Sequence, residues 1–97
     1  MLASPQYSFS LSALKGAPDD PGLFALYHGA ELLCIGIAEG TSAEDTIRAK
    51  LLALFEKAAQ DVTITHYQWE ITSKPHEKRE LYLKQLGRAL PDCERVA

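Results

Sequence analysis

The sequence predicts an α/β chain of the α+β kind: a small three-stranded antiparallel sheet flanked by helices, folded as one domain. Three observations carry this. Two apolar runs, Leu23 to His28 and Glu31 to Ile37, flank the short turn "HGAE". A long amphipathic segment, "TSAEDTIRAKLLALFEKAAQ", follows them. A run of β-favouring residues, "VTITHYQWEIT", then precedes a second helical pattern that opens on Pro75.

Taken in order, residues 1–6 read as a frayed start, and the domain core spans about residues 7–94 of the single unit 1–97. Tyr7, Phe9, Leu11 and Leu14 bring apolar side chains to that core, and "GAPDDPG" is a loop of turn-forming residues. In the hairpin, Gly29 supplies the positive φ of a tight turn. Both of its strands are apolar at nearly every position, which requires cover on both faces of the sheet. Thr41 followed by Glu44 has the capping-box spacing and places the first helix start there. Ile47, Leu51, Leu54, Phe55 and Ala58 then form its apolar stripe, with Arg48 and Lys50 on opposite borders. The third strand, Val62 to Thr72, puts Tyr67, Trp69 and Ile71 on one face and His66, Gln68 and Glu70 on the other. Pro75 suits the first turn of the last helix, Arg79, Leu83, Leu86 and Leu90 continue its period, and Gly87 ends it early.

Composition narrows the function. Of 97 residues, 46% are hydrophobic and 24% charged, an ordinary globular balance, and no apolar run approaches the ~20 residues that cross a bilayer. The first ten residues lack a basic segment followed by an apolar one, so no secretory leader is expected and no membrane partner. Cys34 and Cys93 stand far apart without C-x-x-C spacing. That pattern predicts neither a disulfide framework nor a zinc site, and therefore a reduced, cytoplasmic setting. The formal charge of -3 lowers the expectation of DNA binding, which rests on clustered cations; "EKREL" with Lys74 and Lys84 is the one local patch.

Two tripeptides in the hairpin, "GLF" (Gly22, Leu23, Phe24) and "CIG" (Cys34, Ile35, Gly36), lie where their strands run side by side. With "TIRAKLLALF" and "KPHEKRELYLKQL" downstream in the same order, the chain resembles the GIY-YIG endonuclease superfamily over about residues 7–94. The resemblance implies metal-assisted phosphodiester hydrolysis. In that chemistry one glutamate holds a divalent cation, a tyrosine hydroxyl orients water, and an arginine stabilises charge on phosphorus.

Matched position by position, the catalytic set is degenerate. Phe24 replaces the first tyrosine and has no hydroxyl. Cys34 replaces the second, and as a nucleophile it would need an activating partner such as His28 or His66. Lys50 occupies the arginine position, keeping the charge but losing the planar fork, with Arg48 as the alternative. Glu80 is the retained carboxylate and the only expected metal ligand; its bland reading is an i,i+4 pair with Lys84. Glu94 stands where the family often carries asparagine. His66, Glu70 and His76 form a weaker metal constellation, and Tyr67 and Trp69 read as core rather than as base-stacking aromatics.

Three functions follow. The first is a nuclease-like domain that has lost hydrolysis and persists as a binding or scaffolding module, for nucleic acid among other partners; no cofactor is expected. The second is an active endonuclease of an atypical subgroup, using Mg2+ or Mn2+ on Glu80 and Tyr27 as a displaced hydroxyl. The third is a protein-interaction module, with a protein partner or a homodimer, unrelated to nucleic acid.

Overall fold

The computed structural model describes residues 2–58 and 63–96. Its elements run β1 (Tyr7–Ser8), α1 (Leu11–Leu14), β2 (Gly22–His28), β3 (Glu31–Ala38), α2 (Ile47–Ala58), β4 (His66–Ile71), α3 (Pro75–Leu86) and α4 (Cys93–Val96). The fold is α+β, with an antiparallel sheet in the order β1-β4-β2-β3. The expected three strands are thus four. The extra one pairs only Tyr7 with Tyr67 and Ser8 with His66, too short a segment to leave a period-2 signal in the sequence.

The apolar character of β2 explains its central place. Six of its seven residues are buried, since β3 and β4 pair along its two edges while helices cover both faces. Phe24, Leu26, Cys34 and Ala38 pack on one face with Ile47, Leu51 and Leu54 of α2 and Leu14 of α1. Leu23, Ala25, Tyr27, Leu32 and Ile35 pack on the other with Tyr82 and Leu86 of α3. Tyr67 and Trp69 belong to the α2 side, as their alternation predicts. The hairpin turns at Gly29, whose φ is 59°. A register shift between Leu26 and Tyr27 leaves Leu33 as the extra residue on β3.

Helix α2 starts at Ile47, not at Thr41, and the Thr41–Glu44 capping box does not form. Asp45 takes over Thr41: its carboxylate accepts the Thr41 hydroxyl at 2.6 Å and amide at 3.2 Å, and the Glu39 amide at 3.1 Å. That holds residues 39–45 as a loop. The Thr46 hydroxyl instead accepts from Ala49 N, while the carbonyls of Asp20 and Pro18 accept from Ile47 N and Arg48 N. The "GAPDDPG" loop therefore satisfies the start of α2. Pro75 opens α3 and Gly87, at φ 70°, closes it as predicted.

Residues 2–4 are not frayed. Leu2 and Ser4 are buried; Ser4 N donates to Trp69 O at 3.1 Å, and the Ser4 hydroxyl accepts Trp69 N at 2.9 Å. The predicted third strand begins at His66, four residues later than expected; Val62 lies outside the described residues, as do 59–60 of the predicted first helix. The expectation of unpaired cysteines is also overturned: Cys34 and Cys93, 59 residues apart in sequence, form a disulfide with a Cα–Cα distance of 5.3 Å. Sequence separation concealed what α4 does, which is to fold back onto β3.

Candidate functional site

Strand β3 is the outer strand of the sheet, so the space beside it is bounded only by what the helices send across. From one side come Lys50, Leu54 and Lys57 of α2, and from the other His76 and Arg79 of α3. The C-terminal segment contributes Asp92, Cys93 and Glu94. Together with Phe24 and residues 35–37 they line a cleft of about 700 Å³.

Inside the hairpin the two tripeptides meet as expected. Phe24 lies opposite Gly36, and Leu26 opposite Cys34. The Phe24 ring covers Gly36 so closely that a methyl group there would overlap its Cζ and Cε2 atoms. Phe24 keeps 3% of its surface and Cys34 none. With its sulfur bonded to Cys93, Cys34 has no thiolate to activate. His28 instead donates to Thr63 O at 2.5 Å, and His66 Nδ1 lies 2.8 Å from the Thr65 hydroxyl.

The two candidate cations part company. Arg48 turns toward the loop before β2, where its Nε donates to Ala17 O at 2.8 Å. Lys50 reaches the cleft, with Nζ 3.9 Å from Asp45 Oδ1. The Asp45 carboxyl is held below its ordinary value, first by the Thr41 hydroxyl, then by the Glu39 amide, with Lys50 a smaller contribution. Glu80 is exposed on α3 and does not line the cleft; its neighbour Arg79 does, half-buried and donating from Nε to Ile35 O at 2.8 Å.

Tyr27 sits on the α3 side of the sheet, donating its hydroxyl to Gln68 Oε1 at 2.6 Å, and burial pushes its pKa up. It therefore offers no hydroxyl beside Phe24. Glu70, equally drawn into structure, accepts from Tyr82 OH at 2.6 Å and Ala3 N at 3.2 Å, and lies 3.6 Å from Lys78 Nζ. His76, which lines the cleft, contacts Glu39, which does not. The constellation His66, Glu70 and His76 is thus dispersed, and no group of three metal-ligating side chains gathers among the described residues.

Sequence reasoning missed Arg79, His76, Lys57 and Asp92 as cleft residues. Arg79 did leave a signal, since it continues the apolar period of α3 and a charged residue in that stripe must bring its head group out somewhere. Compared with known proteins, the chain matches no family model, no curated protein and no solved structure.

Proposed function

We propose that the chain is a GIY-YIG-like domain that does not hydrolyse phosphodiesters and acts as a binding or scaffolding module through the cleft along β3. One observation carries the reading. At the positions matched to the two reactive tyrosines stand a phenyl ring with 3% of its surface exposed and a disulfide sulfur, while the matched carboxylate, Glu80, is exposed on α3 outside the cleft. A hydrolytic site needs a water-orienting group and a metal-holding carboxylate converging on one phosphate. Phe24, Cys34 and Glu80 do not converge in that way. Loss of even one such group costs an enzyme on the order of a hundredfold in rate.

For the ligand, Lys50, Lys57 and Arg79 supply three permanent cations, which suits a phosphate backbone. Glu44, Asp92 and Glu94 supply three carboxylates in the same cleft, and this mixed charge favours a polypeptide partner. Fluorescence anisotropy with labelled branched and single-stranded DNA separates the two. Binding that weakens steeply between 20 and 200 mM salt, and falls in Lys50→Ala and Lys57→Ala, supports nucleic acid. No binding at 20 mM salt sinks it and leaves the polypeptide reading.

A further inference from the structure

We infer that the Cys34–Cys93 disulfide is a redox-operated latch: it clamps the C-terminal turn over the cleft, and a thiol reductant releases that turn while the sheet stays folded. The proposal goes beyond the binding reading, because it concerns access to the cleft rather than what enters it.

Position is the first support. Cys93 lines the cleft and also belongs to the buried cluster containing Phe24, Cys34 and Leu54. Asp92 and Glu94 on either side of it line the cleft too, so the position of this turn sets one wall of the cleft. Beneath it lie the two positions that the nuclease resemblance makes central, Phe24 and Cys34, at 3% and 0% exposure.

What else holds the turn is the second. Helix α4 has four residues, far too few to be stable by itself. A hydrogen bond from Lys57 Nζ to Glu94 O, at 2.6 Å, ties it to α2. The loop that reaches it, residues 88–92, is exposed apart from the half-buried Leu90. The rest of the domain is fastened independently. Strand β2 is bonded along both edges, the Tyr67 hydroxyl anchors Ala13 O at 2.8 Å, and Glu70 ties residue 3 to α3 through Tyr82.

The exchange chemistry balances with a dithiol as co-reactant. Its thiolate attacks Sγ of Cys93, the less buried of the two cysteines at 3% exposure against 0% for Cys34, forming a mixed disulfide. The Cys34–Cys93 bond breaks and its electron pair leaves on Cys34 Sγ, which takes a proton. The second thiol of the reductant then displaces Cys93 as a thiol and closes the reductant's own disulfide. Two electrons and two protons pass to the protein, and α4 is no longer tethered.

Hydrogen exchange read by mass spectrometry, on the full chain with and without dithiothreitol, tests this. In the reduced protein, amides of residues 92–96 should exchange at least about tenfold faster, while those of β2, β3 and β4 keep their rates. Iodoacetamide should then label both cysteines under native conditions. Cys93→Ser should reproduce the reduced pattern and ignore the reductant. Acceleration throughout β2 and β4, or a Cys93→Ser chain that does not fold, would make the bond a structural staple and overturn the latch. So would unchanged exchange in protein shown by mass to be reduced, or free thiols on both cysteines in air-purified protein. Because the readout is backbone exchange, it stands apart from whether the cleft binds DNA or a polypeptide.

Discussion

Replacing Gly36 by alanine adds one methyl group at the point where the two halves of the hairpin touch. The methyl would fall inside the van der Waals envelope of Phe24, overlapping Cζ and Cε2 and standing 3.1 Å from Cε1. The ring has little room to retreat, since it is 3% exposed and packed in the same cluster as Cys34 and Leu54. Overpacking of this kind costs about 1–3 kcal/mol. Against it, removing a glycine from a strand returns about 0.5–1 kcal/mol by restricting the unfolded chain. The net expectation is a loss of about 1–2 kcal/mol, read as a lower urea midpoint at unchanged slope. Trp69 fluorescence reports it. In a Phe24→Ala background the obstacle is gone and only the backbone gain remains, so the same substitution becomes neutral or stabilising. Equal losses from Gly36→Ala with and without the ring would refute the contact and, with it, the pairing of "GLF" with "CIG".

The remaining predictions concern the charges and hydroxyls around the cleft. Arg48→Ala should cost about 1–2 kcal/mol by removing a charge-assisted bond to Ala17 O, whereas Lys50→Ala, half-buried and loosely paired, should stay within about 0.5 kcal/mol; chemical denaturation of both variants checks the contrast. Because the Asp45 carboxyl is held low, its stabilising contribution is present above the ordinary carboxylate value and is lost as pH falls through the lowered one. Asp45→Asn should therefore lower the urea midpoint at pH 7 and make no difference in strong acid. The Tyr82 phenol is pushed up to about 12, chiefly by its hydrogen bond to Glu70. A raised phenol stabilises the fold below its unfolded value and stops doing so as pH rises through the folded one; in an ultraviolet tyrosinate titration, Tyr82→Phe should remove the highest-lying step.

How far the sequence disclosed this molecule depended on the range of the interactions involved. The β2–β3 hairpin was legible because a local turn and two apolar runs specify it, and α3 because Pro75 and Gly87 mark its ends. The start of α2 misled, since Thr41 and Glu44 have capping spacing but Asp45 competes for Thr41 and the loop carbonyls 18 and 20 cap the helix from afar. Strand β1 and the ordered residues 2–4 were invisible because their partners, Trp69 and Tyr67, are more than fifty residues away. The same holds for the disulfide. At the site, that Phe24 and Cys34 carry no hydroxyl could be read directly. The outward turn of Glu80 could not, because one step of 100° along α3 decides whether residue 79 or residue 80 faces the cleft.

The central claim is that this hairpin keeps the frame of a nuclease without its chemistry. Incubating the full chain with labelled branched and nicked DNA in 5 mM Mg2+ or Mn2+, beside Glu80→Ala, tests it most directly. The account predicts no metal-dependent product from either protein above the buffer blank. Cleavage by the unaltered chain that disappears in Glu80→Ala would contradict it.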